Sequence, residues 1–319
     1  MLKFIVSFLE VTERFGVKLK GKYRPYDCFP LMFIIDAILW PSDLYKILTD
    51  YKKRFGSTPN LVVPRTFNEH IQRSKLTTRK MIYIDFADKI RVRDYVEKII
   101  GKQYLIEILW TGTDIRDVNK ERLPESFIIK ANNGSGMNLV VPDKKAADWL
   151  SIHSLTQQWL CRDFSKYFAE WQYRWVRPQL LIEPLLTFEG RIPYDYKFFC
   201  FNGKVELIQV DMDRFTNHTL TLLNRQFKVL PIRHVYPCHQ GTLVRPACLD
   251  EMINLAEKLA GKEKFIRIDF YDVNGRPIFG EITLHPSAGR EHFEPPIWDK
   301  RLGDILSRKC AGDTLIEKQ

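Results

Sequence analysis

Two segments near the C-terminal end, Phe265-Ile266-Arg267-Ile268-Asp269-Phe270 and Gly280-Glu281-Ile282-Thr283-Leu284-His285-Pro286, place polar and charged residues at alternate positions of otherwise apolar runs. Asn274-Gly275 between them is a strong hairpin signal. Alternation puts Arg267 and Asp269 on one face of the first strand, and Glu281 and Thr283 on one face of the second. Register decides whether those faces coincide. A two-residue Asn-Gly turn sets odd positions against even ones and separates Asp269 from Glu281. A three-residue loop, Val273-Asn274-Gly275 with a left-handed glycine and a bulge, instead sets Arg267 against Glu281 with Asp269 diagonal to it. In that register two carboxylates converge. They suit a hard divalent cation, magnesium above all, shared with phosphate oxygens. A solvated polar face with an Arg–Glu cross-strand pair is the other reading of the same residues.

Cations come next. Lys130 ends the apolar run Phe127-Ile128-Ile129 and is followed by Asn132-Asn133-Gly134-Ser135-Gly136. Backbone N–H groups in such a loop can cradle phosphate, and the lysine adds a point charge. The G-x-x-x-x-G-K-[ST] spacing is missing, and so is the third glycine of a dinucleotide fingerprint. Lys197 in Asp195-Tyr196-Lys197-Phe198-Phe199, Arg214 in Asp211-Met212-Asp213-Arg214, and Arg290 in the loop Pro286–Arg290 are further cations. Each taken alone reads equally well as a strand lysine facing water or a surface salt bridge. No Ser/His/Asp or Cys/His set stands out as a nucleophile.

The elements that must hold these residues change character along the chain. Ser42 is placed to cap a helix with apolar residues Leu44, Ile47, Leu48, Tyr51 and Phe55, stopped by Gly56. Thr66-Phe67-Asn68-Glu69 is a capping box. A third helix runs through Val92, Val96 and Ile99 to Gly101. Beyond it the period shortens to strands at 127–130 and 139–141, then at 180–182, where Glu183-Pro184 ends the ladder. Trp149, Trp159, Trp171 and Trp175 lie between, most simply as core. Lys197–Phe201 and Val205–Val210 flank Asn202-Gly203, a second hairpin, and Leu249, Met252, Ile253, Ala256 and Leu259 make one helical face before Gly261. Helices first, then two β-rich blocks, predict an α+β protein with more than one lobe.

A strand lysine with a glycine loop, an Ile-Glu-Pro-Leu-Leu hinge, a second strand lysine and an Asp/Glu hairpin, in that order, resemble the ATP-grasp superfamily. The segments Phe127–Asn138, Asp195–Gly203 and Phe265–Gly289, with Asp88-Lys89 and Val92-Arg93-Asp94-Tyr95-Val96, look most like its teichuronopeptide-biosynthesis (TupA-like) branch. The resemblance covers roughly Phe67 to Asp304. It implies an ATP-grasp fold in three parts: a mostly helical region over 1–120, a lid subdomain over 121–187, and a C-terminal subdomain with the metal site over 188–319. It implies ATP and magnesium as cofactors. Lys130 and Lys197 would meet phosphate, and Asn133, Gly134, Ser135, Gly136 and Met137 would close over it. Glu183, Pro184, Leu185 and Leu186 would form the adenine hinge, and Glu189 would meet ribose. Asp269 and Glu281 would hold magnesium. Thr283 stands where many relatives have asparagine, which puts a third ligand in doubt. Arg267, Arg214 and Arg290 would stabilise charge or grip an acceptor carboxylate.

The activity so implied is ATP-dependent carboxylate–amine ligation through an acyl phosphate. The branch further implies an amino-acid donor and a uronic-acid acceptor in a surface polysaccharide or its precursor. Composition fits a globular enzyme: 319 residues, 45% hydrophobic and 28% charged, with a net charge of +10. That sign suits an acidic glycan. A nucleic-acid partner is not expected, because no helix-turn-helix, RNA-recognition or zinc signature is present. Six cysteines without C-x-x-C pairs suggest a reduced, cytoplasmic protein. Phe4, Phe8, Val11 and Phe15 share one helical face within residues 1–20, which leaves open peripheral attachment at the inner face of the cell membrane. A phosphotransferase acting on a sugar hydroxyl, or a non-catalytic polyanion- or carbohydrate-binding protein, remain alternatives.

Overall fold

The computed structural model describes residues 29–187, 191–214 and 216–308. The stretch 1–20 and Glu189 therefore lie outside the described residues. The first helix, α1 (Phe29–Phe55), runs unbroken through Pro41. Ser42 is thus internal and not the cap expected of it. Pro41 costs one intrahelical bond, but Met32, Ile35 and Leu39 before it and Ile47 and Tyr51 after it are all buried, so packing carries the helix across. Gly56, at φ +76°, ends it. Thr66 caps α2 (Phe67–Thr77) with the reciprocal Glu69 bond of a capping box. Two short helices follow, α3 (Ile82–Ala87) and α4 (Val92–Ile99), the second closed by Gly101 at φ +107°.

A small antiparallel sheet comes next, built from β1 (Trp110–Gly112), β2 (Phe127–Ala131), β3 (Asn138–Val141) and β4 (Leu180–Pro184) in the spatial order β1-β4-β2-β3. Phe127, Ile129 and Ala131 point into its core, and Ile128 and Lys130 point the other way, as a half-buried strand demands. Helix α5 (Trp149–Cys161) covers the core side and α6 (Ser165–Phe168) follows it. Strand β1, with the buried side chains of Ile115 and Val118, belongs to this unit, so the small sheet begins within the stretch assigned above to the helical region. Trp159, Trp171 and Trp175 are buried in core clusters, and Trp149 stacks on Phe127.

The larger sheet contains β5 (Asp195–Phe201), β6 (Lys204–Met212) and β7 (Thr219–Asn224), then β9 (Phe265–Val273) and β10 (Arg276–Thr283), in the order β10-β9-β5-β6-β7. Between them β8 (Arg233–His234) pairs with β11 (Phe293–Glu294), while α7 (Leu249–Ala260) and α8 (Ile297–Ser307) flank the sheet. One face is wholly apolar: Phe198, Cys200, Ile208, Val210, Ile268 and Phe270 meet Met252, Ala256 and Leu259 of α7. The opposite face is divided. Phe199, Phe201, Leu207 and Leu222 pack under Phe67 and Trp298, whereas Asp195, Lys197, Gln209, Asp211 and Asp269 occupy the same face further along.

The last hairpin combines one of the two turns drawn from the sequence with a bulge at Gly280 that neither register contained. Its turn is the two-residue one, Asn274 (φ 61°) and Gly275 (φ 72°), and Arg276 to Phe279 pair with Val273 to Phe270. A bulge then leaves Gly280 without a partner, so that Glu281 faces Asp269 and Thr283 faces Arg267. Without the bulge Glu281 would share the buried face of Phe279; one extra residue reverses the alternation and sends Glu281 and Thr283 to the polar face.

Candidate active site

The floor of the site is the polar half of the large sheet. One rung across it reads Gln209, Lys197, Asp269, Glu281, and the next reads Asp211, Asp195, Tyr271. Lys197 Nζ donates to Asp195 Oδ2 (2.5 Å) and to Asp211. Arg214 donates to the same Asp195 oxygen (2.8 Å), and His218 Nε2 lies 2.8 Å from Asp211 Oδ1. Burial works against the Lys197 ammonium, but Asp195, Asp269 and Asp211 outweigh it and raise its pKa.

Arg267 organises the other end. Its Nε and Nη2 bind Asp269 in a fork (2.8 and 2.7 Å), and Nη2 also donates to Glu281 Oε1 (2.9 Å) and Thr283 Oγ1 (2.9 Å). Thr283 in turn donates to Glu281 Oε1 (3.0 Å). Withdrawal from water alone would raise the Glu281 carboxyl, but Arg267, Lys89 and Lys197 hold it at about 2. Burial pushes Asp269 the other way, above the ordinary aspartate value, against the pull of Arg267.

The opposite wall comes from the small sheet. Lys130 Nζ donates to Glu183 Oε2 (2.6 Å) from the neighbouring strand, and Arg93 of α4 lies 3.4 Å from Glu183 Oε1 while binding the Ile106 carbonyl. The Asn-Gly loop is tied at its base: Ala131 N donates to Met137 O (3.0 Å), and Asn133 Nδ2 to Arg162 O (3.2 Å). Ser135 and Gly136 are exposed at its tip, whereas Met137 is buried in the small sheet's core. Gly134 has no room for a Cβ, which would stand 2.6 Å from Met137 Cε and from Phe164 Cδ2.

Between the walls lies a cleft of about 580 Å³ lined by Lys130, Glu183, Pro184, Leu185 and Leu186 on one side and by Asp211, Arg214, His218 and Tyr271 on the other. Lys130, the hinge and Arg214 line this cleft, while Lys197, Asp269 and Glu281, with Arg267 and Thr283 bonded to them, lie on the sheet rungs next to its Asp211 and Tyr271. Arg290 does not join them. Its guanidinium pairs with Asp50 (2.7 Å) and stacks over Phe168 (4.8 Å), so the structure offers it no direct part in the site.

Lys89 was not among the residues singled out for a role, yet its Nζ donates to the Gly134 carbonyl, and Glu281, Lys130 and Glu183 are close enough to act on its charge. Burial lowers its pKa, with Glu281 opposing. Arg93, Asp195, Asp211 and His218 were likewise missed. Docking of α4 brings Arg93 to Glu183, and the pairing of strands brings Asp195, Asp211 and His218 together, although the charges at alternate positions of Asp195-Tyr196-Lys197 and Asp211-Met212-Asp213 were a usable signal.

Magnesium fits the donor set. Among the described residues no group of three or more His, Cys, Asp or Glu could hold a metal alone, whereas magnesium is usually held by one or two carboxylates with phosphate oxygens and waters. Asp269 and Glu281 would supply the carboxylates, and buried Asp195 Oδ1 has no hydrogen-bond partner. The Thr283 hydroxyl accepts from Arg267 and donates to Glu281, which leaves one lone pair for a cation.

Two sheets clamping a cation-lined cleft over an Asp/Glu floor define an ATP-grasp protein. The model of the TupA-like ATP-grasp family matches residues 69–307, most of the chain, and the chain belongs to that family. No curated protein matches the sequence. Among solved structures, the chain is similar to D-alanine–D-alanine ligase from Bacillus anthracis complexed with ATP at 14% identity and a TM-score of 0.41, over 70% of this chain and 64% of that one. It is similar to the ATP-grasp ligase PsnB, complexed with a phosphomimetic variant of its minimal precursor, Mg and ADP, at 12% identity and 0.41, over 85% and 68%. L-amino acid ligase from Bacillus licheniformis is similar at 10% identity and 0.43, over 70% and 49%. The chain therefore spans less than two thirds of the length of the first and the third of these. No helix among the described residues is long and apolar enough to cross a membrane.

Proposed function

We propose that the protein is an ATP-dependent carboxylate–amine ligase that amidates a uronic acid of a surface polysaccharide, or of its precursor, with an amino acid. The observation that carries this reading is the Arg267 fork, which ties Asp269, Glu281 and Thr283 together on the floor of a cleft that Lys89, Lys130 and Lys197 approach from three separate elements. Such a site serves a reaction in which negative charge builds on transferring groups, and it needs no nucleophilic side chain. The acceptor carboxylate oxygen attacks the γ-phosphorus of ATP and ADP departs. The amine nitrogen then attacks the acyl carbon, loses a proton and expels phosphate. Magnesium, held by Asp269 and Glu281, would neutralise phosphate charge. Lys130 and Lys89 would fix the phosphates, the 183–186 hinge would hold the base, and Arg267 would face the charge that develops.

The +10 chain charge supports an anionic acceptor, and the family supports the polysaccharide setting. Action in the cytoplasm, near the membrane through residues 1–20, is part of the same proposal. The test is ADP release from ATP and magnesium with glucuronate- or galacturonate-containing acceptors, with and without an amino-acid pool, for the parent, Lys130→Ala and Glu281→Ala. Release that requires both acceptor and amine, and is lost in both variants, is the expected result. Release indifferent to amine would mean a phosphotransferase instead.

A further inference from the structure

Helix α1 is turned the opposite way to most surface helices: it buries its aspartates and exposes apolar side chains. Met32, Ile35, Leu39 and Ile47 point inward, and so do Asp36 and Asp43. Arg174 holds both carboxylates, with Nη1 3.3 Å from Asp36 Oδ1 and Nη2 on Asp43 Oδ1, and Arg79 Nε lies 3.6 Å from Asp36 Oδ2. From Phe29 to Tyr45 the helix carries no other charge. At the helical period the opposite face therefore reads Ile34, Ala37, Trp40, Pro41 and Tyr45, with no charged group among them. Ile34 is 54% exposed and Trp40 40%.

The packing fixes this orientation. Rolling α1 to bury Ile34 and Trp40 would pull both aspartates off their arginines and leave buried charges unpaired. Trp40 is held as well, its Nε1 donating to the Leu76 carbonyl of α2 (3.3 Å). The loop after α1 extends the apolar surface. Leu61 and Leu44 pack on one cluster with Ile47 and Leu76, and beyond Leu61 the side chains of Val62 and Val63 stand 82% and 62% exposed. Arg73 Nη1 donates to the Val62 carbonyl (3.2 Å) and so places a cation beside them. Lys52, Lys53 and Arg54, all exposed, end α1, and Lys52 continues the outer face about two turns beyond Tyr45. The acids nearby are engaged: Asp50 pairs with Arg290 (2.7 Å), and Glu69 accepts from the amides of Asn60 and Arg65 (both 2.8 Å).

A helix that is apolar on every side is normally covered on every side. Large apolar side chains left out singly are ordinary, but a continuous apolar surface rimmed by cations marks an interaction site. The net charge of +10 sets copies of the chain against one another and draws it to an anionic partner. Aromatic rings flanked by lysine and arginine are the groups that suit the headgroup region of an anionic bilayer. We propose that the outer face of α1, with Val62 and Val63, lies on an anionic lipid surface. Ile34, Trp40, Tyr45 and the two valines enter the boundary with the acyl chains, and Lys52, Lys53, Arg54 and Arg73 meet the headgroups. No helix among the described residues is long and apolar enough to cross a membrane, and the contact is one that rests on the surface. It depends neither on residues 1–20 nor on the ligase reading.

The experiment is co-sedimentation of the full chain with vesicles of phosphatidylglycerol mixed with phosphatidylcholine, and with vesicles of phosphatidylcholine alone. The parent is compared with the double variants Ile34→Glu with Val63→Glu, and Lys52→Glu with Lys53→Glu, and the melting temperature of each is measured alongside. The expected result is parent binding that needs phosphatidylglycerol and weakens as salt is raised. Either double variant should lower that binding about tenfold or more at a melting temperature close to the parent's. A parent that binds neither vesicle overturns the proposal. So does equal binding by the parent and the Ile34→Glu, Val63→Glu protein, which would place the contact elsewhere in the chain, residues 1–20 included. A parent that ignores vesicles but self-associates in sedimentation velocity, and becomes monomeric in that variant, would make the face a contact between copies and overturn it too. If that variant fails to fold, Val62→Asp with Val63→Asp, which leaves α1 intact, decides the question by the same readout.

Discussion

Glu281 lies directly across from Asp269 because Gly280 is left unpaired between Phe279 and Glu281. The bulge leaves Phe279 and Ile282 in the core and turns Glu281 and Thr283 to the cleft. There is little room at Gly280: a Cβ would stand 3.2 Å from the Asp269 carbonyl oxygen and 3.2 Å from the Tyr271 ring. Gly280→Val should therefore lower magnesium-dependent turnover by about tenfold or more, since a misplacement near 1 Å has an effect of that order or larger. Deleting Gly280 removes the extra residue and keeps the Glu–Asp pairing, so the deletion should retain more activity than the valine variant. Steady-state ADP release for the two variants side by side checks the ordering.

Lys130 and Glu183 are joined across β2 and β4 at 2.6 Å, with Arg93 on the other carboxylate oxygen. Lys130→Met should weaken ATP binding by about tenfold, roughly 1.4 kcal/mol. The sheet should survive, because Arg93 continues to pair with Glu183. Titration calorimetry with a non-hydrolysable ATP analogue reads the affinity, and an unchanged value would remove Lys130 from the phosphate site.

Asp211 is nearly fully buried; burial would raise its carboxyl, but Lys197, Gln209 and His218 hold it at about 2. A carboxyl lowered by folding stabilises the native state at pH above its unfolded value of 3.8 and loses that stabilisation as pH falls towards 2. The term is about 2 kcal/mol at neutral pH. The stability difference between the parent and Asp211→Asn should shrink steadily between pH 5 and pH 2 in denaturant titrations. A difference that does not vary with pH would show that the pairing contributes through packing instead.

Phe67, fully buried at the start of α2, touches the rings of Phe199, Phe201, Phe265 and Phe293 at centroid distances of 5.0 to 6.4 Å. Phe67→Ala should cost about 3–5 kcal/mol of unfolding free energy. Because Gln72 and Lys75 of α2 donate to the carbonyls of Ala288 and Gly289, the loss should be accompanied by faster exchange at the loop after β10. Urea unfolding of the variant provides the first number.

Much of the local structure is written in short stretches of residues. The Thr66/Glu69 capping box, the Gly101 stop and the Asn202-Gly203 turn depend on contacts within a few positions, and the sequence alone determines them. The order of strand lysine, hinge, second lysine and acidic hairpin likewise identifies the family, since order survives without coordinates. Other features were decided by packing at a distance. Pro41 marks a break by local rules, yet buried side chains on both sides carry α1 through it.

The site itself depends most on tertiary structure. Alternation shows that Asp269 and Glu281 point to one side or the other of their strands, but the bulge at Gly280 decides which, and a single residue of slip reverses the answer. Lys89 and Arg93 lie on or next to short helices that are no more polar than their neighbours. They become site residues only because α4 and the turn before it dock beside Glu183 and the glycine loop. Arg290 shows the converse: its type and place in a loop suit an anion site, but Asp50 on α1 takes its charge. Sequence determines which groups are available and how each local segment turns. Which of them share one cleft is set by the register of two hairpins and the docking of α1, α2 and α4, contacts between residues far apart in the chain that no local pattern encodes.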